Sequence, residues 1–178
     1  MSRIIVLDRD GVINYDSRAY IKSVSEFKFI PGSVEAIAQL TQAGYRIGVV
    51  TNQSGISRGL YSEETLQEIH AYMTDTLQKA GGRIEAICYC PHLPIERCSC
   101  RKPQPGMFRE LSQKMGLELT DFFYAGDRIS DIQVAKKVGA KAVLIESSMT
   151  DKHALTRFSK ILVYPSLFAF TQDLLDEC

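Results

Sequence analysis

Short apolar runs rich in β-branched residues recur along this chain, and helical stretches separate them. Ile4-Ile5-Val6-Leu7 is the first. An apolar run with no polar alternation fits a strand buried on both faces, the situation in a parallel sheet covered by helices. The pattern returns at Tyr45 to Val50, Ile84 to Tyr89, Phe122 to Ala125, Ala142 to Ile145 and Ile161 to Val163. Between these, Ser33 to Gln42 places Val34, Ile37, Ala38 and Leu40 at helical spacing, with Gly44 as a stop signal. Ser62 reads as an N-cap, Glu63 and Glu64 suit a first turn, and Leu66, Ile69, Met73 and Leu77 carry an apolar face toward Gly81-Gly82. Pro105 to Met115, Ser130 to Val138 and Ser166 to Leu175 read as shorter helices. This alternation predicts an α/β fold, a doubly wound, Rossmann-like parallel sheet. With 178 residues and no repeat, low-complexity tract or linker, residues 1–178 are expected to form one domain.

Charge and hydropathy narrow the function classes. Lys plus Arg equals Asp plus Glu, 21 each, so the chain is formally neutral and no nucleic-acid partner is expected. No apolar run reaches the ~18 residues of a membrane helix, so no membrane partner is expected either. Met1-Ser2-Arg3 leads straight into the first strand, too short a start for a signal peptide, so export is not expected and a cytoplasmic location is. Of the five cysteines, Cys88, Cys90, Cys98 and Cys100 lie close together, which suits a metal site better than a disulfide framework in such a compartment.

Ligands of such sheets bind beyond the carboxyl ends of the strands, so the polar residues that follow each apolar run matter most. Asp8 and Asp10 flank one residue after the first run, and residues two apart in extended chain point to the same side. Gly11 lets the backbone turn away. Such a pair needs a cation, a shared proton or full solvation, and taken alone it reads equally well as two solvated acids. Thr51, Asn52, Gln53 and Ser54 follow the second run and offer donors for phosphate oxygens, although a simple turn uses the same residues. Asp127, with Asp131 close behind, adds carboxylates after Gly126. Hard oxygen ligands without histidine suit Mg²⁺. Lys102 and Arg101 place positive charge where a phosphoryl group would need it, or form a solvated basic pair.

Asp8-Arg9-Asp10-Gly11-Val12, then Thr51-Asn52, then Lys102, then Gly126-Asp127-Arg128 with Asp131 resembles, in order, the motifs of the haloacid dehalogenase superfamily of phosphatases. The resemblance implies that Asp8 is a nucleophile forming an aspartyl-phosphate and that Asp10 is the general acid, then base. It further implies Mg²⁺ held by the Asp8 and Asp127 carboxylates and the Asp10 backbone carbonyl. Thr51 and Lys102 would then hold the phosphoryl oxygens. The three histidines, His70, His92 and His153, have no part in that scheme.

Cys90-Pro91-His92, then five residues, then Cys98-Ser99-Cys100 offers three thiolates and an imidazole. Four such ligands close a structural, tetrahedral Zn²⁺ site with no open position, unless the loop is merely cysteine-rich and reduced. Cys88 reads as core, and Cys178 as incidental. Zinc would fix the loop that aims Arg101 and Lys102. Neither the gap from Asp10 to Thr51, with its flap-like stretch Asp16 to Ile30, nor that from Gln53 to Arg101 has room for a large cap domain. An open site with short specificity loops is expected, in a monomer.

The cysteine loop resembles the zinc-containing branch of the superfamily. There Cys-Pro-His-Leu-Pro and Gly126-Asp127-Arg128 are shared with enzymes acting on histidinol phosphate, while Thr51 to Gly59 and Arg101 to Met107 are similar to those acting on a heptose 1,7-bisphosphate. The resemblance favours a small phosphorylated sugar as substrate, on a route to nucleotide-activated heptose for lipopolysaccharide, with histidinol phosphate as the alternative. It assigns sugar contacts to Asp16, Ser17, Arg18, Ala19 and Tyr20 of the flap and to Asn52, Gln53 and Ser54. It leaves Arg101 and Arg128 to a second phosphate. A zinc-ordered binding module without catalysis is the remote alternative, against which the intact Asp8, Asp10, Thr51, Lys102 and Asp127 speak.

Overall fold

A computed structural model describes residues 3–177, so Cys178 lies outside the described residues. Six parallel strands form one sheet in the order β3-β2-β1-β4-β5-β6. They are β1 (Ile4–Leu7), β2 (Arg46–Asn52), β3 (Ala86–Cys90), β4 (Phe123–Gly126), β5 (Lys141–Ile145) and β6 (Leu162–Tyr164). The helices are α1 (Ser33–Gln42), α2 (Glu63–Lys79), α3 (Gly106–Met115), α4 (Ile129–Val138), α5 (Lys152–Leu155) and α6 (Leu167–Asp176).

The unbroken apolar runs have the predicted cause in β1 to β5, which feed two cores, but not in the edge strand β6, where Leu162 and Val163 are exposed. Ile5 and Leu7 of β1 join Ile37 and Leu40 of α1, Ile69 and Met73 of α2 and Phe170 of α6. Ile4 and Val6 point to the opposite face and join Met107, Phe108 and Leu111 of α3 and Val134 and Ala135 of α4. Burying each such side chain contributes ~1.5–3 kcal/mol, so a strand apolar on both faces is stable only here, between two helical layers.

The helix signals hold closely. α1 spans the expected residues, and the Ser62 side chain accepts from the Thr65 N–H as the cap of α2. Strand ends differ more. β2 runs two residues past Val50 because Thr51 and Asn52 pair with Tyr89 and Cys90, so part of the expected loop is strand. β3 starts at Ala86 rather than Ile84. The short α5 was not foreseen, since its four residues carry no apolar period and only Asp151, accepting from Ala154 N–H, marks its start.

Strand order reverses between β1 and β4, and in open α/β sheets that is where a crevice opens. Among the described residues, no large cap covers it. After β1 the chain makes a small flap, in which Asn14 bridges to Phe29 and a single 3-10 turn spans Val24–Glu26. Among the described residues, no helix is long and apolar enough to cross a membrane.

Candidate active site

Asp8 and Asp127 follow the two strands that flank the reversal, and the Asp8 N–H donates to Ala125 O at 2.8 Å. Gly11 turns the chain with φ 84°, and any side chain there would collide with the Asp127 carboxylate. Asp8, Asp127 and Asp131 bring carboxylate oxygens within 4.8 Å of one another. Both oxygens of Asp131 are engaged: Oδ1 by Lys102 Nζ at 2.8 Å and Tyr124 OH at 2.6 Å, Oδ2 by the N–H groups of Asp127 and Arg128. Asp127 differs. Its Oδ2 accepts from Ser147 Oγ at 2.5 Å, while its buried Oδ1 has no hydrogen-bond partner.

That unpartnered oxygen fits a metal ligand, because a buried acceptor left bare is costly. Charge supports the same conclusion. Asp8, Asp10, Asp127 and Asp131 face only Arg9 and Lys102 as buried cations, an excess of two negative charges, which one divalent ion would balance. Without such an ion, burial pushes the Asp8 carboxyl well up, with Lys102 opposing and Asp131, Asp127 and Asp10 adding. Burial and Asp131 likewise lift Asp127 to about 7. An oxygen-only set of this kind suits Mg²⁺.

Lys102 is 4 % exposed, and Nζ lies 3.1 Å from Asp8 Oδ1 and 2.9 Å from Tyr124 OH. Burial works against its charge, but Asp131 and Asp8 outweigh it and keep the ammonium protonated. The loop that carries it is held at two consecutive residues. The Asn52 side chain accepts from Lys102 N–H at 3.1 Å, and Arg101 N–H donates to Cys98 Sγ at 3.3 Å. Cys90, His92, Cys98 and Cys100 cluster beneath, with Cys100 Sγ 3.0 Å from Cys90 Sγ and 3.2 Å from His92 Nδ1. Zn–S bonds of ~2.3 Å in a tetrahedron separate sulfurs by ~3.8 Å, so this cluster has close to the size that Zn²⁺ requires. Cys88 is buried in the core and stands outside the group of four that the structure brings together.

Asp10 sits in a dense set of donors. Oδ1 accepts from Arg9 Nε (3.0 Å), Arg9 Nη2 (2.8 Å) and Asn14 Nδ2 (2.8 Å), and Oδ2 from Gln53 Nε2 (2.9 Å). Burial alone would raise this carboxyl, yet Arg9, Asn14 and Gln53 hold it below its usual value. Gln53 Nε2 also donates to Thr51 Oγ1 at 2.9 Å, and Tyr61 OH donates to Gln53 Oε1.

A cavity of about 410 Å³ opens above these groups. Asp8, Asp10, Thr51 and Lys102 line it, as do Asp16, Ser17, Arg18 and Tyr20 of the flap, Asn52, Gln53 and Ser54 after β2, and Arg101 and Arg128. Ala19 does not line it; the residue is exposed, its N–H donating to Ser17 Oγ and its carbonyl accepting from Lys22. Asp127 is fully buried and lies below the cavity wall rather than in it. Asp16 and Arg128 meet each other across the mouth, Oδ2 to Nη2 at 2.7 Å. The Asn52 amide is spent on the Lys102 backbone, and that of Gln53 on Asp10 and Thr51, so both shape the site from within.

Sequence reasoning passed over Ser147 and Thr150, which brace Asp127, although Ser147 lies just past the end of β5 and the strand-end rule alone would have found it. Tyr124 lies mid-strand and read as core. Arg9 sat inside the first motif and was assigned nothing.

The profile of the HAD-hydrolase-like family matches residues 99–168. A D-glycero-β-D-manno-heptose-1,7-bisphosphate 7-phosphatase of Pseudomonas putida is 47% identical over 150 residues, covering 84% of this chain and 86% of that protein. One from Neisseria meningitidis is 38% identical over 181 residues, covering 98% and 96%. The crystal structure of a D,D-heptose 1,7-bisphosphate phosphatase from Bordetella bronchiseptica, complexed with magnesium and phosphate, superposes with a TM-score of 0.91 at 39% identity over 100% of both chains.

Proposed function

The chain belongs to the family of D-glycero-β-D-manno-heptose-1,7-bisphosphate 7-phosphatases, and from that premise we propose that it cleaves the 7-phosphate of such a bisphosphate through a phosphorylated Asp8. Its place would be in the supply of nucleotide-activated heptose for lipopolysaccharide. The observation that carries the reading is the meeting of Asp8, Asp10, Thr51 and Lys102 in one cavity at the reversal of the strand order, with the bare Asp127 oxygen below.

Asp8, held at Oδ1 by Lys102 and by the Arg9 N–H at 2.7 Å, is fixed in orientation to attack phosphorus. Lys102 and the Thr51 hydroxyl hold the phosphoryl oxygens, whose negative charge is spread in the transition state. Asp10 gives a proton to the departing sugar oxygen and takes one from the water that then hydrolyses the aspartyl-phosphate. Asp8, Asp127 and the Asp10 carbonyl would hold Mg²⁺, which supplies charge neutralisation on the phosphoryl oxygens when bound. Cys90, His92, Cys98 and Cys100 would hold Zn²⁺, ordering the loop that presents Lys102 and Arg101. The flap, Ser54, Arg101 and Arg128 take the sugar and its second phosphate.

The test is a substrate panel with magnesium present: heptose 1,7-bisphosphate, histidinol phosphate and a 3′-phosphorylated DNA end. Selective release of one phosphate from the bisphosphate, abolished by Asp8→Asn, is expected. Preference for histidinol phosphate would replace the substrate, and full activity of Asp8→Asn would remove the covalent mechanism.

A further inference from the structure

Arg9 is 0 % exposed, although a guanidinium so far from water is stable only when all its neighbours answer it. The residue lies between two proposed catalytic aspartates, and neither the phosphoryl scheme nor the metal uses its side chain. Three contacts answer it. Nε and Nη2 both reach Asp10 Oδ1, Nη1 lies 3.1 Å from His70 Nε2 in α2, and the Phe27 ring centroid lies 5.7 Å from its central carbon. Arginine can only donate, so His70 Nε2 must accept, and the imidazole is therefore neutral with any ring proton on Nδ1. Burial enforces that state, with Arg9 adding, and draws the His70 pKa down to about 3.

The arrangement makes the two oxygens of Asp10 unequal. Oδ1 receives three donors, from Arg9 twice and Asn14 once, whereas Oδ2 receives only Gln53. A carboxylate oxygen has about two lone-pair directions, so Oδ1 is saturated and Oδ2 keeps room for a proton. We propose that Arg9, backed by His70, is a positioning residue that turns Asp10 so that Oδ2 alone carries the proton to the leaving oxygen. The inference rests on the acid/base role given to Asp10 above. The protons balance: Asp10, ionised in the free site, takes one from solvent as substrate binds, Oδ2 passes it to the sugar oxygen as the P–O bond breaks, the attacking water returns it, and it leaves to solvent with the product.

The geometry, not only the charge, matters, because a lysine at position 9 would keep the cation and lose the fork. His70→Gln keeps an acceptor for Nη1, and His70→Leu removes it. Proton donation matters for a poor alkoxide leaving group and little for an activated aryl one. The experiment measures kcat and KM on heptose bisphosphate and on 2,4-dinitrophenyl phosphate for wild type, Arg9→Lys, His70→Gln, His70→Leu, Asp10→Asn and the Arg9→Lys/Asp10→Asn double variant. Arg9→Lys is expected to lower kcat on the sugar roughly ten- to a hundredfold, a fraction of the ~10²–10⁴-fold that general acid catalysis supplies, with the aryl ester little changed. His70→Leu should follow in the same direction, and His70→Gln should recover most of the loss. On the Asp10→Asn background, Arg9→Lys should cost nothing further. Equal losses on both esters, or additive losses in the double variant, would overturn the proposal and leave Arg9 as a packing residue. If Arg9→Lys fails to fold, the His70 pair decides, and indistinguishable His70→Gln and His70→Leu enzymes would overturn it too. Should Asp10→Asn itself lose both esters alike, the acid/base reading falls first and takes the proposal with it.

Discussion

Lys102 Nζ stands 3.1 Å from Asp8 Oδ1 and 2.8 Å from Asp131 Oδ1, on a loop whose preceding residue is bonded to a cysteine of the proposed zinc cluster. One ammonium thus holds together the ends of β1 and α4, and it does so from a third element. Replacing it by Met leaves Asp8 and Asp131 facing each other in a buried site. Breaking a buried pair on one side costs about 3–5 kcal/mol, so Lys102→Met should lower the urea midpoint clearly, while losing a charge on the phosphoryl group should reduce turnover at least ~10²-fold. Unfolding curves and phosphate release with saturating magnesium check both. A variant that keeps most of its turnover would show that Lys102 does not touch the transferring group.

The cysteine cluster predicts one zinc per chain in protein purified without chelator, counted by elemental analysis. Cys98→Ser removes a ligand and also the acceptor of the Arg101 N–H. We expect a lower melting temperature and a fall in kcat larger than the change in KM for a small aryl phosphate, because Lys102 loses its anchor. Metal-free protein with full activity and unchanged melting would end the zinc assignment.

The fold and the chemistry were legible in the sequence to different depths. Ile4 to Leu7 revealed a buried parallel strand because burial on both faces removes the polar alternation that a half-exposed strand needs. From that, Asp8, Thr51, Lys102 and Asp127 followed as neighbours, since the topology brings strand ends to one rim. What position along the chain cannot show is which donors are already engaged. Asn52 and Gln53 read as free hands for a ligand, and the structure finds their amides bound to Lys102 and Asp10. His70 read as a residue of the helix interior, and nothing local told that Arg9, sixty-one positions away, would meet it. Such pairs depend on tertiary placement, which spacing does not encode.

His70 gives a pH-dependent stability whose sign is fixed by its burial. Its pKa falls from the ordinary 6.5 to about 3 in the native state. Between those values the unfolded chain binds a proton that the native one does not, so stability from this residue is complete above about 6.5 and drains away as pH falls toward 3. The slope is ~1.4 kcal/mol per pH unit inside the window. His70→Gln has nothing to protonate, so the stability difference between wild type and variant should shift against wild type by about that much per unit from pH 6 to pH 4.5. Parallel urea titrations at those pH values, followed by circular dichroism, measure it. Identical pH dependence in the two proteins would mean that the native imidazole protonates freely.

The pairing of Arg128 with Asp16 makes the last prediction, about substrate choice. Arg128 is half exposed at the mouth of the cavity, and one of its nitrogens is bound to Asp16 while the others remain for an incoming anion. Arg101 lines the same cavity and gives only Nη1 to His92 O, at 3.3 Å. A phosphate held by either arginine gains on the order of 1.5–3 kcal/mol, so Arg128→Ala or Arg101→Ala should cost roughly ten- to a hundredfold in kcat/KM for the bisphosphate. A monophosphate has no second anion to lose and should be nearly unaffected. Asp16→Asn frees Arg128 from its carboxylate and should sharpen the preference for the bisphosphate rather than weaken it. Specificity constants for both substrates in the three variants decide the matter. Histidinol phosphate carries a cationic amine instead, which Asp16 would attract, so the same Asp16→Asn change would then reduce activity, and that reversal of sign separates the two substrates without any structure of a complex.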